Sequence, residues 1–164
     1  MDLPVRKSNR LSNYSYSQSG VYFITICSVN KLPIFCRIHP EKESHPPVVE
    51  LSNYGNIVEK QILSIPNFYS DICVDKYVIM PNHIHLLITL HQKTKQAAVP
   101  ANDRIPVLIS SFKRFTNKSA GINLWHRSYH DHVIRDEADY LTRWKYIDDN
   151  PSRWMMDRFY IPEL

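Results

Sequence analysis

The sequence predicts an α+β domain in which helices cover one face of a single β-sheet and a further helix follows at the C-terminal end. Short runs of β-branched and aromatic residues alternate with longer segments whose apolar residues recur every three or four positions. Their order is strand, helix, strand, strand, helix, strand, helix. A chain of 164 residues can bury one core, so we expect residues 1–164 to form one domain.

The first half of the chain supplies one strand and one helix. Residues 1–19 are polar and basic, which predicts an irregular arm, and residues 21–28 are β-branched and aromatic, as in a central strand. Residues 39–47 contain three prolines and mixed charges, which predicts a loop. A helix then begins after Ser52, whose hydroxyl can cap it, and ends near Pro66.

The middle of the chain predicts a hairpin. Residues 71–80 and 83–89 are apolar runs that flank a tight turn at Pro81 and Asn82. Residues 91–103 have low hydrophobicity and are expected to form a loosely packed connector.

The last third of the chain completes the plan. A helix is predicted over residues 105–120, with Gly121 at its end, and an alternating strand over residues 127–135. Asp136 then caps a last helix, which ends before a tail at residues 151–164. The first six elements match the β-α-β-β-α-β plan of RRM and other ferredoxin-like domains, although the pattern leaves the strand order open.

Composition limits where the protein acts and what it binds. Three cysteines without a Cys-x-x-Cys spacing are typical of a reduced intracellular chain. The mainly apolar stretch at 84–90 is too short to span a bilayer, so we expect a cytoplasmic protein that does not bind a membrane. The charge is +4 overall, and basic blocks at 1–40 and 81–120 are compatible with a polyanionic partner or with ordinary solvated surface.

Two histidines on the predicted third strand are the strongest chemical signal. His83 and His85 alternate with apolar residues, so both side chains point to the same face of the sheet. Like-facing residues lie roughly 6–7 Å apart along a strand, and two imidazoles at that distance can converge on one metal ion. The alternative is a pair of exposed or hydrogen-bonded histidines that bind no ion.

The last helix holds a tyrosine and an asparagine together. Asn150 follows Tyr146 by one turn and is only about 40° away around the axis. Both project away from an apolar stripe that should pack on the sheet, formed by Tyr140, Leu141, Trp144 and Ile147. On its own this helix favours a surface tyrosine beside a helix-ending Asn-Pro. If the histidines and Asn150 bind one ion, however, the phenol lies at that ion and can act as a nucleophile on a phosphodiester.

The motifs resemble those of a known family. The segment Tyr77-Val-Ile-Met-Pro-Asn-His-Ile-His and the later Tyr146-Ile-Asp-Asp-Asn-Pro are similar to the single-tyrosine HUH transposases of insertion-sequence-200-like elements, in the REP-associated branch. Further similar segments at 6–10, 20–27 and 125–135 extend the resemblance over nearly the whole chain. The chain departs from the pattern at Phe35-Cys36-Arg37, where relatives tend to have Phe-Gly, and this should affect a turn rather than the chemistry.

The resemblance implies a catalytic role for each of these residues. Tyr146 would be the nucleophile, and His83, His85 and Asn150 would bind Mg²⁺ or Mn²⁺. Family members act on single-stranded or hairpin DNA and leave a 5′-phosphotyrosine and a free 3′-hydroxyl. They act as monomers or as homodimers, in which the tyrosine helix of one subunit can serve the partner's site.

Four basic residues are candidates for contacts with DNA: Lys113, Arg114, Arg127 and Arg135. For each, a solvated surface charge is the competing interpretation. Two other functions remain open at the level of sequence. One is a non-catalytic module that binds single-stranded nucleic acid, as a domesticated relative would, and the other is a metal-dependent phosphodiesterase that uses water.

Overall fold

A computed structural model describes residues 19–39, 46–91, 104–158 and 160. The predicted arm and connector lie almost entirely outside the described residues. The strands are β1 (Gly20–Cys27), β2 (Cys36–His39), β3 (Val48–Leu51), β4 (Ile72–Met80), β5 (His83–Leu90) and β6 (His130–Val133). The helices are α1 (Asn53–Phe68), α2 (Arg104–Ala120) and α3 (Glu137–Arg153). Within these ranges no helix combines the length and hydropathy needed to cross a bilayer.

Four of the strands form one antiparallel sheet in the order β4-β5-β1-β6. This arrangement confirms the predicted β-α-β-β-α-β plan, and it supplies the strand order that the sequence left open. The sheet places β5 next to β1 over their whole lengths, with His85 opposite Thr25 and His83 opposite Cys27. Partners in an antiparallel pair point to the same face, so β1 determines what surrounds the histidines.

The two faces of the sheet carry different partners. Alternate residues of β1 and β5, such as Ile24 and Leu86, are fully buried in a core shared with α1 and α2. The intervening residues Phe23 and Leu87 point to the other face and pack with Ile147 of α3. The sheet is therefore covered on both sides, and α3 packs on the face of the histidines.

The structure corrects several predicted boundaries. Residues 36–39 and 48–51 pair as a separate two-stranded sheet that the sequence did not predict, and most of the loop expected at 39–47 lies outside the described residues. Helix α1 continues past Pro66 and α3 past Pro151, because a proline near a helix end breaks few backbone hydrogen bonds. The strand predicted at 127–135 is paired only at 130–133. The predicted tail was also wrong in part, since its first three residues are helical.

The entry to α1 is fixed by the segment that departs from the family pattern. As predicted, Ser52 caps the helix, and its hydroxyl accepts a hydrogen bond from the Gly55 amide at 3.1 Å. The Ser52 amide donates to the Phe35 carbonyl at 2.9 Å. A Cβ atom added to Gly55 would lie 2.1 Å from that carbonyl oxygen, so only glycine fits where α1 meets the chain before β2.

The close approach at Gly55 predicts a large loss of stability in Gly55→Ala. A methyl group there forces the backbone of Phe35 away from the helix, which should lower the free energy of unfolding by about 2–3 kcal/mol. Gly121→Ala is the matched control, because its site has a positive φ of 72° but open space around it, and it should lose only about 1 kcal/mol. Urea unfolding of both variants measures the difference, and equal losses would contradict the packing described here.

Candidate active site

The two histidines of β5 meet at their ring edges. The Nε2 atoms of His83 and His85 are 3.1 Å apart, and each ring is held from behind through its Nδ1 atom. Nδ1 of His83 lies 2.6 Å from the side-chain oxygen Oδ1 of Asn82, and Nδ1 of His85 lies 2.8 Å from the Thr25 hydroxyl oxygen. The Asn82 oxygen can only accept, so His83 carries its proton on Nδ1 and presents an Nε2 lone pair toward its neighbour.

Burial keeps both rings uncharged. It lowers the pKa of His83 to about 4, against smaller opposing effects of Asp157 and of a side-chain hydrogen bond with Asn150. Burial, and then the charges of His83 and Arg143, hold the pKa of His85 well below its ordinary value. The pair is therefore neutral at neutral pH, and neutral imidazole is the form that binds a metal ion.

The apolar stripe of helix α3 packs against the face of the sheet that carries the histidines. Ile147 is 2% exposed and packs with Phe23 and Leu87, as the sequence predicted for that stripe. The inclusion of Leu141 was wrong, because its side chain is 57% exposed. Within the predicted stripe, Ile147 is buried against the sheet, and Tyr140 and Trp144 are partly buried beside it.

Polar contacts with β4 hold the same helix. The Lys76 ammonium lies 4.2 Å from the centre of the Trp144 ring and 2.7 Å from a carboxylate oxygen of Asp148. The Tyr140 hydroxyl donates to Asp75 at 3.4 Å, at the point where β4 has an irregular register. These contacts fix the position of α3 relative to the sheet.

The seating of α3 brings the predicted tyrosine and asparagine to the histidines within one chain. The Tyr146 ring lies 5.3 Å from the His85 ring and 5.9 Å from the Phe23 ring, measured between centroids, and is 38% exposed. Asn150 is buried, and its side chain hydrogen-bonds His83 and donates to the Tyr146 carbonyl at 3.2 Å. Tyr146 therefore does not project away from the helix–sheet interface, as its angle from the stripe suggested, but borders it.

The side chains that meet here fit a divalent ion. In the described ranges no three His, Cys, Asp or Glu side chains are grouped for an ion, so the donor set is two imidazoles and one amide. Both imidazoles are neutral, and their outer nitrogens are tied to Asn82 and Thr25, as in many metal sites. Three ligands leave coordination positions for substrate oxygen and water.

The four predicted DNA-contact residues lie elsewhere, and their roles stay predictions. Lys113 and Arg114 belong to α2, which packs on the opposite face of the sheet. The Lys113 ammonium donates to three backbone carbonyls of residues 126–128 at 2.8–3.2 Å, so it holds that loop. Arg127 and Arg135 are exposed on either side of β6.

Sequence reasoning missed four neighbours of the site: Phe23, Thr25, Asn82 and Arg143. The contact of Asn82 with His83 could have been predicted from the sequence, because Asn82 precedes His83 in the predicted turn and its side-chain amide can hydrogen-bond a following side chain. Thr25 and Phe23 depend on the β1–β5 register, which no local pattern gives. Arg143 shares a helix face with Tyr146, but a charged residue on such a face is ordinarily a solvated surface residue, so no feature of the sequence assigned it to the site.

Comparison with known proteins supports the resemblance. No family model matches the chain. An uncharacterised protein of Haemophilus influenzae is 33% identical over 95% of this chain and 93% of its own length. A putative REP-associated tyrosine transposase of the same organism is 23% identical, with 87% of this chain and 77% of the relative covered. The chain is therefore similar in sequence to a putative REP-associated tyrosine transposase. The structure of a REP-associated tyrosine transposase bound to a REP hairpin has the same fold, with a TM-score of 0.62 and 17% identity over 88% of this chain and 73% of that one.

The low pKa of His83 predicts how the stability of this protein depends on pH. Below about pH 6.5 the unfolded chain binds a proton on this ring that the folded chain does not bind until about pH 4. The free energy of unfolding should therefore fall as the pH drops through this window, with His83 contributing up to about 3 kcal/mol. His83→Gln should flatten that slope, whereas His91→Gln, at an exposed histidine just after β5, should leave it unchanged. A His83→Gln slope equal to that of the parent protein would mean that His83 is not held neutral.

The bond from Thr25 to His85 predicts that Thr25 supports metal binding. Thr25→Val removes the hydroxyl that orients the ring, and loss of such a partner ordinarily weakens metal affinity about 10- to 100-fold. Thr89→Val is the matched control, because this hydroxyl lies on the same sheet face but donates to Asp75. Calorimetric titration with Mn²⁺ measures both variants. Equal affinities would show that the Thr25 hydroxyl does not orient a metal ligand.

Proposed function

We propose that this protein is a transposase that cleaves and rejoins single-stranded or hairpin DNA through a covalent bond to Tyr146. The observation that carries the proposal is the meeting of Tyr146 with the histidine pair inside one chain, 5.3 Å from the His85 ring. A protein that only binds DNA needs no neutral, oriented imidazole pair beside a phenol. The same geometry supports a tyrosine that acts in its own chain's site.

Each residue has a defined part in this proposal. His83, His85 and Asn150 would hold Mg²⁺ or Mn²⁺, which when bound polarises a phosphate oxygen. The side-chain oxygen of Asn82 keeps the Nε2 lone pair of His83 directed inward, and the Thr25 hydroxyl orients the His85 ring. Mg²⁺ prefers oxygen ligands to imidazole. This favours an ion that the protein binds weakly and whose coordination shell is completed by the scissile phosphate and water.

The chemical step makes one bond and breaks one bond. The Tyr146 oxygen attacks the scissile phosphorus, the bond from phosphorus to the 3′ oxygen breaks, and the departing 3′ oxygen takes up a proton. The phenolic proton passes to solvent as the new bond from oxygen to phosphorus forms. The product is a 5′-phosphotyrosine, which retains the phosphodiester bond energy and allows a second 3′-hydroxyl to reverse the step.

Hairpin DNA is the proposed substrate because the solved relative is a transposase bound to a REP hairpin. Single-stranded flanks beside such a hairpin can enter the site, since the phenol is 38% exposed. The basic residues Arg127 and Arg135 lie in the exposed segments on either side of β6 and are proposed to contact backbone phosphates.

The decisive prediction is that Tyr146→Phe abolishes a covalent protein–DNA adduct. A 3′-labelled hairpin oligonucleotide with randomised single-stranded flanks is incubated with protein and Mn²⁺ and analysed on a denaturing gel. The parent protein should give a labelled band at the mass of protein plus DNA, because the 5′ phosphate of the labelled fragment stays on the tyrosine. Loss of the nucleophilic oxygen should lower the yield of adduct by at least about 1,000-fold.

Tyr140→Phe is the matched control, because it removes a hydroxyl from the same helix that bonds Asp75 instead of facing the histidines. It should keep the adduct. Two outcomes exclude the proposal. Cleaved DNA without an adduct, undiminished in Tyr146→Phe, indicates a phosphodiesterase that uses water. DNA binding with neither cleavage nor adduct indicates a binding module.

A further inference from the structure

An arginine borders the same aromatic ring as the proposed nucleophile. The Arg143 guanidinium carbon lies 5.3 Å from the centre of the Phe23 ring, and that ring stacks on His85 at 5.0 Å. The Tyr146 ring meets Phe23 edge-on at 5.9 Å. Arg143 precedes Tyr146 by three residues, which places both on one side of α3. The positive charge and the phenol therefore both border the Phe23 ring.

Arg143 is also held by Asp139 of the same helix. Its Nε lies 3.4 Å from an oxygen of Asp139, one turn earlier in α3. The second Asp139 oxygen is 2.7 Å from Nε2 of His132 and accepts from the Arg135 amide at 3.3 Å. Asp139 is thus fixed by the end of β6 and can act as a rigid support for the guanidinium.

The two terminal nitrogens of Arg143 remain available. Across the described part of the chain they donate no hydrogen bond, and the side chain is about one-third exposed. An arginine fixed through Nε and through its ring contact presents its terminal N–H groups as a planar fork, which matches two oxygens of a phosphate. Such a fork beside a reacting phosphodiester stabilises the negative charge that grows on its oxygens.

We propose that Arg143 is a catalytic residue that binds the scissile phosphate and that Asp139 is the residue that positions it. The inference rests on the proposed function, since it assigns an anion-binding group to the Tyr146 site. A purely structural role is the alternative, in which Arg143 only links Asp139 to the Phe23 ring. If Arg143 binds the phosphate, its contribution to DNA binding depends on the negative charge of that phosphate. If its role is structural, its contribution does not depend on that charge.

The test compares a charged with an uncharged linkage at the cleavage position that the Tyr146 adduct maps. Binding is measured in EDTA, so that no metal responds to the charge, with Tyr146→Phe as the uncleaving background. The oligonucleotide carries either the natural phosphodiester or a methylphosphonate at that position. The methylphosphonate should weaken binding about tenfold, and adding Arg143→Gln should reduce this difference to less than about twofold. Arg143→Lys keeps the charge and should retain part of the difference.

Arg153→Gln is the matched control on the same helix, because that guanidinium pairs with Asp149 and is 61% exposed. It should preserve the tenfold difference. In protein with Tyr146 intact, Arg143→Gln should slow adduct formation at saturating DNA about 100-fold, and Asp139→Asn should slow it less. Equal weakening of both linkages by Arg143→Gln, or no weakening at all, overturns the inference. Absence of any adduct in the parent protein instead overturns the proposed function.

Discussion

The contact between α3 and the second face of the sheet determines whether this protein has an active site. The histidines are fixed by β5, but Tyr146 and Asn150 reach them only because Ile147 is buried against Phe23 and Leu87. Burying one such side chain is worth about 1.5–3 kcal/mol, enough to set the register of the helix but little more. The ion pair and ring contact of Lys76 add a second restraint from β4.

Placing two imidazoles under a helix has an energetic penalty that the surrounding polar groups offset. A buried ring nitrogen without a partner is destabilising, and two rings whose Nε2 atoms are 3.1 Å apart cannot both be protonated at low cost. Thr25 and Asn82 satisfy the outer nitrogens, which leaves only the inner ones to be shared. The fold therefore holds the pair neutral and oriented before any ligand arrives, at the expense of stability in mild acid.

The sequence predicted what local periodicity determines. Alternation in residues 83–89 correctly put both histidines on one face, and the one-turn spacing correctly put Asn150 beside Tyr146. Partners set by tertiary pairing were out of reach, because nothing near His85 indicates that Thr25 lies opposite it. The β2–β3 hairpin was missed for a related reason, since its strands are four residues each and most of their stability comes from pairing with one another.

Asn150 joins the two halves of the site mechanically. Its side chain bonds His83 and also donates to the carbonyl of Tyr146, so the proposed third ligand and the nucleophile belong to one turn of helix. A rigid shift of α3 must then move Tyr146 and Asn150 together and cannot withdraw the tyrosine while leaving the proposed ligand set intact.

Strand transfer requires one DNA end to leave and another to enter. In this geometry the exchange must occur by movement of DNA past a fixed phenol or by displacement of the whole helix. The second route would disturb the Ile147 contact and the proposed ligand set at once, so departure of the helix would also release an ion bound there. The short, rigid link between Tyr146 and Asn150 therefore favours a site in which the protein stays in place and the DNA strands exchange.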